Sequence, residues 1–172
     1  AQKPPRAVVD AEPEQKGEKR LIHRMEAELP AVMIGYKAVS FTDPDYAALE
    51  VIRSILTDGE SSRLYQSLIY DKQIATEAYA YFRPTIQQGP MILYAQGKEG
   101  IEPVTLEAAI YEAIAQVADG KVTDREIAKA RNQIRAEAIR ELKDNAGRAE
   151  RIGFYELMSA DFSQMFSILD RV

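Results

Sequence analysis

The sequence of 172 residues has no cysteine, no tryptophan and one histidine, His23. Lacking cysteine, it can form no disulfide, thiolate nucleophile or sulfur-ligated metal site, and its redox compartment stays open. With one imidazole, a zinc site built on paired histidines has no second ligand. No apolar run approaches the ~20 residues that span a bilayer, so no membrane partner is expected. The first twenty residues also lack the apolar segment of a secretory signal, so an export signal is expected upstream and the start reads as internal to a longer protein. Basic clusters are missing too. With 22 Lys and Arg against 27 Asp and Glu, net charge −5, there is no stripe for phosphate binding, and nucleic acid is excluded as an expected partner.

What is there is the composition of a globular protein, 46% hydrophobic and 28% charged, at a length that suits one domain with its own core. Residues 1–18 hold Pro4, Pro5, Pro13 and Gly17 among mixed charges and read as an extended surface linker. From Lys19, the residues Leu21, His23, Met25 and Ala27 alternate with Arg20, Ile22, Arg24, Glu26 and Glu28, which predicts a first strand ended by Pro30. Residues 31–41 predict a second. Both of its faces are largely apolar, as expected of a central strand covered on each side.

Thr42-Asp43-Pro44-Asp45 predicts a helix start, Tyr46, Leu49, Ile52, Ile55 and Leu56 an apolar stripe, and Gly59 a left-handed stop. Ser61 and Ser62 then stand where hydroxyls cap a helix, ahead of Leu64, Tyr65, Leu68 and Ile69 at helical spacing. Residues 75–82 alternate with period two, Thr76, Ala78, Ala80 and Phe82 against Ala75, Glu77, Tyr79 and Tyr81, so this short helix feeds a strand. A loop at 83–90 and a strand at 91–96 complete a hairpin. Glu102-Pro103 opens a helix stopped at Gly120, and Thr123-Asp124-Arg125-Glu126 is a capping box for a long one. Asn145 and Gly147 weaken that helix, helical character resumes at 152–158, and a last helix follows from Phe162. The order predicts an α+β fold, a mainly antiparallel sheet with helices packed on one face.

At Gly59, Glu60, Ser61, Ser62, Arg63, Leu64 and Leu68, within this element order, the sequence resembles the pitrilysin or insulinase-type (inverzincin) zinc peptidases. Their non-catalytic halves carry a small-SSRL-x-x-x-L element, a polar turn and then a strand. The resemblance covers residues 12–172. It implies one half of a pitrilysin-type subunit, a single domain over 19–172 that stops before a last helix and strand, leaving a sheet edge exposed.

The family's H-x-x-E-H motif, in which two histidines bind zinc and the glutamate activates water, does not occur. His23 stands in His23-Arg24-Met25-Glu26-Ala27, and on a strand it shares a face with Leu21 and Met25, so a hydrogen-bonded structural histidine is the preferred reading. Ser61 and Ser62 lack a base oriented by a third group. Glu107, Glu112, Asp124 and Glu126 fall on the polar sides of helices, as solvated faces do. No catalytic or metal-binding residue is therefore assigned, and no cofactor is expected in 1–172. Zinc is expected in an upstream half of the same parent chain.

In many such halves an Arg follows the Leu of the element and a Tyr comes seven residues later, and together they bind the substrate backbone. Counted from Leu68, those places hold Ile69 and Thr76, which have neither the guanidinium nor the ring. Tyr79 and Tyr81 share a strand face with Glu77 and are candidates for lining a peptide surface, with rim packing as the alternative. By resemblance, the chain is then the non-catalytic C-terminal half of the zinc-carrying subunit of a bacterial two-subunit endopeptidase. It helps enclose an extended peptide and mediates assembly with a partner subunit that supplies Arg and Tyr. The alternative is an inactive scaffold subunit on the same fold. The resemblance implies a periplasmic or secreted location, with the cytoplasm as the other choice.

Overall fold

The computed structural model describes residues 13–171, with side chains as far as Ser167. Its elements run β1 (Ala31–Lys37), α1 (Tyr46–Thr57), a π-helical segment (Tyr65–Asp71), β2 (Ala75–Phe82) and β3 (Pro90–Gly97). Four helices follow, α2 (Pro103–Ala118), α3 (Asp124–Glu141), α4 (Asn145–Ser159) and α5 (Gln164–Arg171). The three described strands form one antiparallel sheet in the order β1-β3-β2. Helices cover one face, as the patterning requires: Ala80, Phe82, Met91, Leu93 and Ala95 point into a core completed by Leu64, Leu68, Leu106 and Ile110.

Two expectations about strands are corrected. Residues 19–28 form no strand and lie exposed, Leu21 at 89% and Met25 at 69%. Alternation alone does not make a strand, because its N–H and C=O groups need a neighbouring backbone, and none of the described strands pairs with this stretch. His23 is accordingly exposed, not a structural histidine inside a strand. The second predicted strand is an edge, not a centre: β3 pairs on both sides and β1 on one, so Ala31, Met33 and Gly35 are exposed. It ends at Lys37, and Phe41 turns instead into the core, edge-on to Tyr46 at 5.0 Å and to Tyr155 at 5.2 Å.

Local signals were more accurate at helix ends. Gly59 has φ +78° after α1, Gly120 has φ +72° after α2, and the Thr123–Glu126 capping box is formed in both directions. Asn145 and Gly147 do not weaken one helix; they form the first turn of another, whose Asp144 carboxylate accepts the Gly147 N–H at 2.8 Å. The Ser61/Ser62 cap is a further correction. Ser62 is buried, its hydroxyl has no partner, and the helical segment starts from Leu64 with no side-chain cap.

A side chain added at Gly59 meets only Gln133 Nε2 at 3.6 Å, an ordinary contact, so its cost is conformational. Gly59→Val is expected to lose about 1 kcal/mol or more of stability, because a β-branched residue resists positive φ. Thermal melting checks this, and an unchanged melting temperature would show that the left-handed stop carries no strain.

Candidate functional site: the open face of the sheet

The sheet face opposite the helices gathers side chains from all three strands. Registry places Met33 of β1 beside Tyr94 of β3 and Tyr94 beside Tyr79 of β2, with Gly35, Ile92 and Tyr81 in the adjoining row. Tyr79 and Tyr94 stack at 4.9 Å between ring centroids, and Tyr81 lies 6.3 Å from Tyr79. Met33 is 63% exposed, Tyr79 36% and Tyr81 39%. A face of this kind is apolar in its middle and carries phenol hydroxyls, which suits packing against a polypeptide that also offers hydrogen-bonding groups. Partial desolvation in the cluster, then the charge of Glu77 and the neighbouring phenols, holds the Tyr79 hydroxyl above its usual pKa, so it stays a neutral donor.

Of the residues singled out from sequence, Tyr79 and Tyr81 meet on this face. Thr76 is exposed at the irregularity between Ala75 and Glu77, its hydroxyl donating to the Gln96 carbonyl at 3.3 Å and lying 3.2 Å from Gln96 Oε1. Ile69 sits in the π-helical segment and packs against the core cluster. Tyr94, Met33 and Ile92 were missed. The alternation of 91–96 held the signal for Tyr94 and Ile92, but only strand order shows which face lies open.

Arg63 of the SSRL element is structural. It forms a two-point ion pair with Glu126, Nε to Oε1 at 2.8 Å and Nη2 to Oε2 at 3.1 Å, and its Nη2 also donates to the Lys121 carbonyl. This pins the turn after α1 to the start of α3. Hydrogen bonding from Arg63, with further bonds from Thr123, holds the Glu126 carboxyl down to about 2. A carboxyl depressed on folding contributes stability that is complete above the ordinary glutamate pKa and is lost as pH falls toward about 2. Glu126→Gln should therefore lower stability at neutral pH and flatten its decline between about pH 4.5 and 2. Denaturation midpoints across that window check this, and a variant as acid-sensitive as the parent would contradict it.

No helix is long and apolar enough to cross a membrane among the described residues, and none of them form a group of three or more metal-ligand types. The comparisons with known proteins speak to the fold and the lineage. The family model described as "Peptidase M16 inactive domain" matches residues 1–134. The chain belongs to that family. A curated relative, the zinc protease PqqE of Helicobacter pylori, is 25% identical over 136 residues, 78% of this chain and 31% of its own length. The crystal structure of a protease from H. pylori superposes with a TM-score of 0.80 at 23% identity, covering 87% of this chain and 36% of that one. A chain of complex III from Candida albicans matches at 0.71 and 14% identity, over 86% and 38%. At those identities the two structures establish a shared fold alone. The chain spans about a third of the length of the curated relatives it matches.

Proposed function

We propose that this inactive M16 domain is the non-catalytic C-terminal half of a zinc endopeptidase and helps enclose an extended peptide against the open face of its sheet. The observation that carries this reading is the exposed Met33–Tyr94–Tyr79 row with Tyr81 beside it, on a domain whose relatives are named zinc proteases. Zinc and its ligands belong to an upstream half of the same parent chain. Ile69 and Thr76 stand, by the resemblance, where self-sufficient members carry the Arg and Tyr that grip the substrate backbone. A partner subunit supplies that pair. Neither Ile69 nor Thr76 has the chemistry to replace it: one has no donor, and the other's hydroxyl is committed to Gln96. A periplasmic or secreted location goes with this reading.

The enclosure claim is tested by Tyr79→Ala and Tyr81→Ala together in the full-length parent with its partner subunit. The expected result is a KM for an extended peptide raised about tenfold, the equivalent of roughly 1.4 kcal/mol, with kcat changed far less. An unchanged KM in a folded double variant would remove the face from substrate binding.

The second reading, a scaffold subunit without turnover, is favoured by the fold match to a chain of complex III. An H-x-x-E-H motif upstream of Ala1 supports the enzyme, and its absence supports the scaffold.

A further inference from the structure

Along β2 the open face of the sheet reads Glu77, Tyr79, Tyr81 and, one step past the strand end, Arg83. The Arg83 N–H donates to the Pro90 carbonyl at 3.1 Å, so the pairing with β3 and its alternation of sides continue to residue 83. Burial follows that alternation. Ala80 and Phe82 lie in the core, whereas Glu77, Tyr79, Tyr81 and Arg83 are exposed. An acid and a base thus stand at opposite ends of a tyrosine pair, roughly 20 Å apart at the rise of an extended chain, too far to meet each other. Neither side chain forms an ion pair or hydrogen bond with another described residue. Elsewhere such charges are matched, Arg53 with Glu50 and Asp58, and Arg63 with Glu126. Lys98, the next residue of the alternation on β3 after Gln96, makes no ion pair with Glu77. At the other end Lys37, in one row with Pro90, adds a second positive charge to that of Arg83 while donating to the Pro13 carbonyl.

We propose that this face selects extended peptides of one charge pattern: a basic side chain, two apolar or aromatic ones and an acidic one, at every second residue. This rests on the reading above, in which the face encloses a peptide, and adds which peptide it takes. An extended chain repeats its side chains on one side every two residues, the period of β2 itself, so four of them fall on Glu77, Tyr79, Tyr81 and Arg83 in a single register. A slip by two residues sets a charge against a tyrosine and leaves Glu77 or Arg83 unmatched. The basic side chain at Glu77 also lies beside the Tyr79 ring, where a cation gains from the aromatic face. All of these contacts are through side chains, so either chain direction satisfies the pattern. Exposed ion pairs are individually weak, and here they choose among peptides that the tyrosines hold.

The test measures the Kd of fluorescent seven-residue peptides with blocked termini on the full-length parent, with a chelator present to stop turnover. All carry the same apolar residues at their third and fifth positions; the first and last are Lys and Glu, Lys and Lys, Glu and Glu, or Gln and Gln. The Lys/Glu peptide is expected to bind about fivefold more tightly than the Gln/Gln peptide, with the two like-charged peptides no better than Gln/Gln. Glu77→Lys should move the preference to Glu/Glu, Arg83→Glu should move it to Lys/Lys, and the two together should restore Lys/Glu. Equal Kd for all four peptides on the unmodified parent would overturn charge selection, whether or not the variants fold. If Tyr79→Ala with Tyr81→Ala still weakened all four, the enclosure of a peptide by this face would survive that result. Binding indifferent to the tyrosine substitutions, or no binding by any peptide, would overturn the enclosure itself. A Lys/Glu preference that neither charge reversal moves would place the selection elsewhere in the parent and overturn it here.

Discussion

Gly89→Ala should lower the free energy of unfolding by about 3 kcal/mol, the upper part of the range for an added group that nothing can accommodate. A Cβ built at Gly89 falls 2.0 Å from the Arg83 carbonyl oxygen and 3.1 Å from its carbon, both backbone atoms that cannot swing aside. Relief requires the loop between β2 and β3 to open. That movement would stretch the Arg83 N–H to Pro90 carbonyl bond at 3.1 Å, which closes the hairpin, and the Ala38 N–H to Gly89 carbonyl bond at 2.8 Å, which ties the end of β1 to it. All three strands are thus strained by one methyl group, and with them the registry that stacks Tyr79 on Tyr94. Gly17→Ala is the control, since a side chain there meets nothing within 4 Å. Chemical denaturation of both variants checks the difference. A Gly89→Ala midpoint equal to that of Gly17→Ala would mean that the loop adapts freely and that the hairpin does not depend on the close approach.

The elements most legible in sequence were those fixed by neighbouring residues. Gly59, Gly120 and the Thr123–Glu126 box act through backbone conformation and hydrogen bonds within one turn, so reading them needed no partner from elsewhere in the chain. Strand pairing is non-local, and there the reading failed twice. The alternation at 19–28 was real but gained no neighbour, and the doubly apolar pattern of 31–41 mimicked a central strand although β3 holds the centre. Tyr79 and Tyr81 were legible as one strand face. Tyr94 and Met33 were not placed with them, because registry, which local pattern does not fix, brings them together. Ile69 and Thr76 were legible only through the family resemblance; in the fold one packs against the core cluster and the other is hydrogen-bonded to Gln96.

The other large effect concerns activity. A zinc-bound hydroxide attacks a peptide efficiently only when the scissile bond is held in line, and the loss of positioning groups can cost on the order of a hundredfold or more in rate. Ile69 offers no hydrogen bond and Thr76 is short and already engaged, so this half cannot contribute the grip that the resemblance assigns to Arg and Tyr. On the function proposed above, the parent is therefore expected to cleave an extended peptide at least a hundredfold more slowly alone than with the proposed partner subunit.

The most direct measurement is peptide cleavage by the full-length parent in three states: alone, with the partner subunit, and with a partner whose own Arg and Tyr are changed to Ile and Thr. The account predicts activity in the second state and its loss in the first and third; full activity of the parent alone would contradict it.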